Sequence, residues 1–276
     1  MTELSPETLK KAQEELNENP EKRARDIQAL RDMVAANPNL KCPQDDAFLL
    51  RFLRAKKFDY DSAYNLIIDY YTLRAEHKSV IEECLPSKNQ LLFNNRVTMI
   101  LPNRDKLGRR ILLFRIGCWD PDKFPMIDIF KVNLIQIEKI ILEDETQVNG
   151  LVMIGDMSGL TMQHVKHLDQ EYARLMTSVM QDSFPLRMKG LYICRQNDVY
   201  SDFWAIIKNF HNEKLSKRIH FIGEDLVKLH DEIGKENLPE ELGGSWGLAD
   251  PIADAWYEVL KKDEDYFKGL LQNKIE

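Results

Sequence analysis

The apolar residues of the N-terminal third of the chain recur with the period of short helices. Ser5 followed by Pro6 is the pairing expected at the cap and first turn of a helix. Two further helices are predicted in the segments 45–58 and 61–77. In the second, apolar residues recur every three or four positions, as Ala63, Leu66, Ile67, Tyr70 and Tyr71. We therefore predict a small all-helical domain over residues 1–88, ending at the turn-like sequence CLPSKNQ.

After that turn, the apolar residues gather in short runs separated by longer helical stretches. The runs are VTMIL, ILLFRI, GLVMI, GLYIC and IHFI, and a helix is predicted over 127–142, before the third run. Strands that are apolar on both faces and alternate with helices indicate a largely parallel sheet. The prediction for residues 89–276 is therefore an α/β domain, in which segment 103–110 is a tight connection and segment 251–271 is one outer helix.

Charge and composition exclude several classes of protein. A net charge of −7 argues against a protein that coats nucleic acid, because phosphate binding needs clustered positive charge. The N-terminus lacks the apolar core of a signal peptide, and no run of about 18 apolar residues could span a membrane. We expect a cytoplasmic protein that meets membranes from their surface. The four cysteines lie far apart without zinc-ligand spacing, so neither a metal site nor a cofactor is predicted.

The signatures of common α/β enzymes are missing from the sequence. Neither GxGxxG nor GxxxxGK[ST] occurs. The sequence GDMSG resembles a nucleophile elbow, but Ser158 directly precedes Gly159, whereas that turn needs Gly-x-Ser-x-Gly. His164 and His167 are interpreted as helix-surface residues, and Asp156 as a turn or cap residue. We therefore predict that the protein is not an enzyme, and hydrolysis of lipid esters is the rival interpretation.

The predicted helix over 127–142 is apolar on two sides. One stripe contains Phe130, Leu134, Ile137 and Ile141, and the other contains Val132, Ile135 and Leu142. Such a helix lies either between the sheet and neighbouring helices or between the sheet and an apolar cavity. The pattern leaves both arrangements open.

The segment 199–211 contains another amphipathic helix. Its apolar stripe is formed by Val199, Phe203, Ile206, Ile207 and Phe210. Trp204 falls outside this stripe and lies one turn from Lys208, as in helices that meet a lipid headgroup region. Packing of Trp204 on a neighbouring element is the alternative.

Basic residues follow this helix and also precede the fourth apolar run. They are Arg187, Lys189, His211, Lys214, Lys217 and Arg218. Neighbouring elements of a parallel sheet could bring these groups together, and converging cations suit a multiply charged anion such as a phosphorylated inositol headgroup. A set of solvated surface cations is the alternative.

Six segments together carry a family resemblance. They are DDAFLLRFLRAKKFDYDSAYNLI, DKLGRRILLFRIGCWDPDKF, ETQVNGLVMIGDMSGL, DSFPLRMKGLYI, EKLSKRIHFIG and LPEELGGSWG. In this order they resemble the motifs of the CRAL-TRIO (Sec14-like) lipid-transfer family, and most of all its alpha-tocopherol transfer protein and clavesin branch. The resemblance implies a helical N-terminal domain, followed by an α/β domain that encloses one hydrophobic ligand. A mobile amphipathic lid, here about 199–211, would close the ligand site.

The resemblance also implies functional positions. Those expected to line the ligand cavity are Phe130, Asn133, Ile137, Leu151, Leu160, Val179, Met180, Phe184, Leu186 and Leu191, with Leu134 from the same helix and Phe203, Ile206, Ile207 and Phe210 from the lid. Those expected to bind a phosphoinositide are Lys56, Arg187, Lys189, Lys214 and Arg218, with Lys217 from the same basic cluster. Trp204 is the predicted membrane contact.

Departures from the family pattern bear on the ligand. Tocopherol-binding relatives have two serines where this chain has Asn133 and Ile137, and a tryptophan where it has Leu160. These differences argue against tocopherol itself. A buried Asn133 costs about 1–3 kcal/mol if unpaired, so a ligand with a hydroxyl or carbonyl, or an ordered water, is favoured.

The function expected from the resemblance is lipid transfer. The protein would bind one tocopherol-, retinoid- or other isoprenoid- or sterol-like lipid and transfer it between membranes, with docking and release dependent on phosphoinositide. The alternative is a phosphoinositide-binding trafficking adaptor of the clavesin type. We expect a monomer in solution that binds peripherally to endosomal or plasma membranes.

Overall fold

The N-terminal part of the chain is helical, as predicted. The computed structural model describes residues 3–181, 183–247 and 254–275. The first elements are α1 (Pro6–Leu16), α2 (Arg23–Ala35), β1 (Leu40–Lys41), α3 (Asp46–Ala55), α4 (Tyr60–Glu76), α5 (Lys78–Ile81) and α6 (Gln90–Asn94). The Ser5 hydroxyl accepts a hydrogen bond from the backbone N–H of Thr8 at 3.3 Å, and Pro6 opens the helix. The predicted cap is confirmed.

Each of the five predicted apolar runs forms a strand of one sheet. The strands are β2 (Thr98–Ile100), β3 (Arg110–Arg115), β4 (Leu151–Asp156), β5 (Met188–Cys194) and β6 (Ile219–Gly223). Among the described residues the sheet has the order β2-β3-β4-β5-β6, antiparallel between β2 and β3 and parallel elsewhere. The Asp105 carboxylate closes the tight β2–β3 connection by accepting hydrogen bonds from the backbone N–H groups of Leu107 and Arg109.

Helices lie between the parallel strands along the chain and after β6, and they pack on both faces of the sheet. They are α7 (Met126–Ile140), α8 (Asp144–Asn149), α9 (Met162–Lys166), α10 (Gln170–Gln181), α11 (Tyr200–Ile207), α12 (Glu213–Ser216) and α13 (Val227–Ile233). Short 3₁₀ turns occur at Pro86–Asn89, Ile116–Cys118, Lys208–Phe210, Lys235–Asn237 and Glu240–Leu242. None of the described helices combines the length and apolar character needed to cross a bilayer.

The prediction of one C-terminal helix is wrong for the described residues. The segment forms α14 (Ala255–Lys262) and α15 (Glu264–Leu270), while 251–253 lie outside the described residues. The break falls at Asp263, whose carboxylate pairs with the Lys139 ammonium of α7. After α15, the strand β7 (Lys274–Ile275) pairs antiparallel with β1. The C-terminal segment therefore packs against the helical part of the molecule.

Alternate residues of the strands enter two separate cores. Leu112 and Met153 face the core that contains α7, α10 and the N-terminal helices. Ile111 and Val152 face a smaller core that contains α13. Helix α7 is buried along both of its predicted apolar stripes, so it lies between the sheet and neighbouring helices. Its N-terminal half also borders the cavity described below, through Met126 and Asn133.

Buried ion pairs join the N-terminal helices to the α/β part. Arg54 of α3 donates to both carboxylate oxygens of Glu18, at 2.8 and 3.0 Å, and to Asp144 of α8 at 2.7 Å. Arg74 of α4 donates to Glu138 of α7 at 2.7 Å. The larger hydrophobic core also continues across residue 88, with members on either side. The helical and α/β parts are therefore held together by both apolar and charged contacts.

Candidate functional site

A cavity of about 110 Å³ lies between helices α7, α10 and α11 and one face of strands β4 and β5. Most of its lining is apolar. The lining residues are Phe114, Met126, Asn133, Met153, Gly155, Met157, Tyr172, Ala173, Met176, Thr177, Met180, Leu191, Ile193, Tyr200, Phe203, Trp204, Ile207 and His211. A cleft with so few polar atoms in its lining suits a hydrophobic small molecule.

Methionine is prominent in this lining. Five of the chain's ten methionines line the cavity, and they come from a helix N-terminus, a strand, a loop and α10. Methionine side chains are unbranched and polarisable, so they adapt to irregular apolar shapes. The lining can therefore adjust to a ligand in a way that branched side chains could not.

The cavity contains part of the predicted lipid-binding set. Asn133, Met180, Leu191, Phe203 and Ile207 line it. The other predicted positions lie elsewhere: Phe130, Leu134, Ile137, Leu151, Leu160, Val179 and Phe184 are buried in the core, Leu186 lines a different pocket, and Ile206 and Phe210 are half-buried on the lid. Phe184, for example, packs edge-on against the Tyr70 ring at 4.9 Å.

The lid helix presents a different side to the cavity from the one predicted. Tyr200, Phe203, Trp204 and Ile207 face the cavity, which is also a stripe of three- and four-residue spacing. Beyond Ile207 the chain tightens into the 3₁₀ turn Lys208–Phe210, where three residues make a turn, so Phe210 leaves the helical stripe. The Phe210 ring instead lies 5.7 Å from the Arg174 guanidinium.

The predicted placement of Trp204 outside the stripe is therefore corrected. Its indole lines the cavity, stacks on Tyr200 at 6.2 Å and meets the Phe221 ring edge-on at 5.2 Å. Phe221, on the edge strand β6, is 51% exposed. Packing on a neighbouring element, which the sequence left as the alternative, describes Trp204 in this structure. Its contact with a membrane remains a prediction.

Asn133 has polar partners within the protein. Its side-chain oxygen accepts a hydrogen bond from the Thr98 hydroxyl at 2.5 Å. Burial raises the pKa of the Tyr172 phenol, and a hydrogen bond with the Asn133 side chain opposes that rise. The amide that the sequence singled out as needing a ligand is thus bonded to neighbouring side chains.

A second pocket of about 270 Å³ adjoins the first, and we call it the basic pocket. Five cationic side chains line it: Lys57, Arg187, Lys189, Lys214 and Arg218. Among the described residues, no aspartate or glutamate belongs to this lining. Strand β5 supplies Lys189, and the segment leading into β6 supplies Lys214 and Arg218, so the parallel sheet brings these groups together.

Two of the predicted phosphoinositide ligands lie outside the basic pocket. Lys57, and not Lys56, lines it, because the chain turns out of α3 with a left-handed backbone at Lys57, where φ is 56°. Lys217 is also outside: its ammonium is exposed and pairs with Glu213 one turn earlier, at 2.6 Å. The sequence could not distinguish these lysines from their neighbours, because a shift of one or three positions decides which way each side chain points.

One carboxylate reaches toward the basic pocket from helix α1. Glu15 accepts from Arg187 and from Lys189, both at 3.3 Å. Burial, and next the neighbouring Arg187 charge, lower the pKa of Lys189 to about 8. Burial would raise the pKa of Glu15, but the charge of Lys189 leaves it below its usual value. The pocket thus holds more positive charge than Glu15 balances.

The cavity and the basic pocket share a wall at the end of α10. Met180 lines both. The next residue, Gln181, lines the basic pocket, donates to the backbone carbonyl of Phe210 at 3.2 Å and accepts from the backbone N–H of Asn212 at 2.6 Å. The C-terminal end of the lid is therefore bonded to a residue of the basic pocket.

Models of two known protein families match most of this chain. Residues 94–244, which contain the sheet, the lid and most of the basic pocket, match the model of the CRAL/TRIO domain. The chain belongs to the CRAL/TRIO family. Residues 19–96 match the model of a Pinta-like UBA domain. The resemblance inferred from the six sequence segments is confirmed.

Relatives of this CRAL/TRIO protein extend over most of its length. The alpha-tocopherol transfer protein-like protein of Mus musculus is 38% identical over 98% of this chain and 78% of its own. Clavesin-2 of Homo sapiens is 38% identical over 87% of this chain and 75% of its own. A crystal structure of Sfh5, at 16% identity and a TM-score of 0.53, covers 97% of this chain and 100% of that one. The last comparison supports the fold alone.

The polar residues tested for catalysis have structural partners in this CRAL/TRIO domain. Asp156 accepts from the backbone N–H of Ser158 at 3.0 Å and from the Arg195 guanidinium at 2.9 Å, so it forms the turn that was expected. His164, which the sequence placed on the helix surface, is instead buried and bonds through its ring nitrogens to Thr161 and to the backbone carbonyl of Trp119. These contacts account for the geometry of the GDMSGL segment.

Proposed function

We propose that this protein binds one hydrophobic lipid beneath the lid 199–211 and transfers it between membranes, docking through an anionic headgroup in the basic pocket. The observation that carries the proposal is the wall that the two pockets share at Met180, which places an apolar cavity and a cationic pocket side by side. One relative at 38% identity is named as alpha-tocopherol transfer protein-like, and its name supports the transfer of a hydrophobic lipid.

The size of the cavity requires the lid to move. Sites for small molecules commonly enclose about 300–1,000 Å³, whereas the cavity here is about 110 Å³. The lid contributes Tyr200, Phe203, Trp204 and Ile207 to the lining, so displacing it enlarges the cavity and opens it to one side. The compact form is the closed state of the proposed cycle.

Selectivity in such a cycle comes from shape and polar contacts. Burying a methylene group from water is worth about 0.8 kcal/mol, but a lipid that leaves a bilayer exchanges one apolar surrounding for another. The apolar lining therefore shields the ligand from water, but it does not select one lipid over another. Extraction needs an open state that touches the membrane, so docking and lid movement must be coupled.

The basic pocket provides that coupling through Gln181. A phosphorylated inositol headgroup offers several charged oxygens to Lys57, Arg187, Lys189 and their neighbours, and such charge-assisted hydrogen bonds are strong. Movement of Gln181 on headgroup binding would disturb its bonds to Phe210 and Asn212. The headgroup biases the lid only if it binds the open and closed states with different affinity.

The docking role is tested with neighbouring lysines as matched controls. Lys57→Glu and Lys214→Glu should each weaken binding to phosphatidylcholine vesicles containing phosphatidylinositol bisphosphate by about tenfold or more. Lys56→Glu and Lys217→Glu, which make the same charge change outside the pocket, should have much smaller effects. Co-sedimentation measures binding, and retention of lipid in solution should be spared in all four variants. If Lys56→Glu lost as much affinity as Lys57→Glu, and Lys217→Glu as much as Lys214→Glu, the assignment of the pocket would be contradicted.

The ligand is tested by mass spectrometry of lipids extracted from the purified protein. A stoichiometric hydrophobic lipid is the expected result, and transfer between vesicles should rise when the acceptor contains phosphoinositide. A protein that binds phosphoinositide vesicles but transfers no lipid would instead be an adaptor of the clavesin type. Turnover of a lipid ester that is lost on changing one Ser, Asp or His would establish the rival hydrolase. We expect neither the adaptor nor the hydrolase outcome. We expect the protein to act at the cytoplasmic surface of membranes.

A further inference from the structure

A residue that lines the cavity contains a buried polar atom without a hydrogen-bonding partner. The Nδ1 atom of His211 is buried and bonds to no group of the described residues. Other side-chain atoms of that kind, such as the Tyr71 hydroxyl and the Trp256 indole nitrogen, belong to residues that line different pockets. His211 lines the apolar cavity at the end of the lid. A buried ring nitrogen without a partner is costly, so its position calls for one.

The surroundings of this imidazole are an aromatic ring and a tight turn of the lid. Its ring lies 5.4 Å from the Trp204 ring, and its backbone N–H donates to the carbonyl of Lys208 at 3.2 Å. Burial lowers the pKa of His211, so the neutral ring predominates at neutral pH. A neutral imidazole either accepts a hydrogen bond at Nδ1 or donates one there, according to its tautomer.

We propose that His211 Nδ1 is the polar subsite of the cavity, and that it hydrogen-bonds an uncharged hydroxyl or carbonyl group of the bound lipid. The inference rests on the proposed function. Asn133, the other polar side chain singled out for this task, already bonds to Thr98. An ionised carboxylate would be disfavoured beside a neutral ring in an apolar cavity.

The subsite also gives the ligand a direction. His211 lies between Phe210, which bonds to Gln181, and Asn212, which lines the basic pocket. The polar end of the lipid would therefore lie at the end of the cavity nearest the membrane-docking surface. Its apolar part would extend toward the methionines of the strands and α7.

The test compares two probes that differ in one polar group. Farnesol and its hydrocarbon farnesene are partitioned between the full-length protein and phosphatidylcholine vesicles, and the ratio of the two dissociation constants is measured. The wild-type protein should prefer farnesol by about tenfold after correction for vesicle partition, as one hydrogen bond to an otherwise unpaired buried group provides. His211→Leu should bring the ratio close to one.

Two further variants show whether the effect is due to the ring nitrogen. His211→Asn places an amide close to the position of Nδ1 and should restore most of the preference for the alcohol. His167→Leu, the same change at an exposed histidine outside this lining, should leave the ratio unchanged. Thermal unfolding of each variant without probe checks that the fold is retained.

The outcomes separate this inference from the proposed function. Equal binding of both probes by the wild-type protein, or an unchanged preference in His211→Leu, would overturn the role of His211 while leaving lipid binding intact. If the wild-type protein binds neither probe and carries no lipid after purification, the proposed function is overturned, and this inference with it.

Discussion

Two cationic sites lie at the N-terminal helices, the buried Arg54 and the basic pocket. They differ in how fully acidic side chains neutralise their charge. Arg54 is buried, and its guanidinium nitrogens bond to Glu18, Asp144 and Gln147 at 2.7–3.0 Å. In the basic pocket, Arg187 and Lys189 share the single carboxylate of Glu15 at 3.3 Å. An arginine near an acid is therefore not by itself an anion site. Excess cationic charge with access to solvent is what distinguishes the basic pocket.

The largest expected difference between the two sites is in the free energy of unfolding after one cation is removed from each. Arg54→Met removes a buried cation that bonds to two buried carboxylates, Glu18 and Asp144, and should lower the free energy of unfolding by about 3–5 kcal/mol. Lys214→Met, at an exposed position of the basic pocket, should change it by less than about 0.5 kcal/mol. Urea denaturation followed by circular dichroism measures both. Similar losses in the two variants would show that the basic pocket is also a structural network.

A smaller effect is expected on the affinity of the basic pocket for an anion, which should depend on pH. Lys189 has a pKa of about 8 because burial and Arg187 disfavour its charged form. It is therefore mostly charged below pH 8 and neutral above, so affinity for inositol trisphosphate should fall by about tenfold between pH 7 and pH 9.5. Calorimetric titration measures this fall.

Lys189→Met is the control for that pH dependence. This variant should bind more weakly at pH 7 and lose most of the fall, leaving the change due to titration of the probe's own phosphates. A decline of equal size in the variant would mean that another group titrates.

The smallest expected effect comes from the one acid that the basic pocket shares with helix α1. Glu15→Gln removes the carboxylate that competes with an anionic ligand for Arg187 and Lys189. Its side chain is 44% exposed, so the gain in affinity for the same probe should be modest, about two- to fivefold. Glu14→Gln, on the same helix and paired with Lys10, is the matched control. An unchanged affinity in Glu15→Gln would show that Glu15 does not restrain the pocket.

The sequence predicted the architecture more completely than the site. Apolar runs determine strands because burial on both faces of a parallel sheet leaves a continuous signal, and each of the five predicted runs forms a strand. The side of a lid helix that faces inward is a finer question. Phe203 and Ile207 belong to both possible stripes, so the choice between Tyr200 with Trp204 and Ile206 with Phe210 depends on tertiary packing.

The polar part of the site was beyond the sequence for a related reason. Asn133 is conspicuous because an amide on an apolar helix face needs a partner, but the partner, Thr98, lies 35 residues earlier on another element. His211 was grouped with the basic cluster because it precedes Lys214. Only the three-dimensional arrangement shows that its ring turns into the cavity. Sequence spacing identifies candidates, whereas hydrogen-bond satisfaction distinguishes among them.

The pairing of β7 with β1 has a consequence for the order of folding. Leu40 pairs with Ile275, so this two-stranded sheet joins residues more than two hundred positions apart in the chain. Contacts of such long separation form slowly, because the intervening chain must first be ordered. On the ribosome, the N-terminal helices therefore emerge long before the strand that completes their sheet has been made. Docking of β7 onto β1 is therefore expected late in folding, after the helical part has formed.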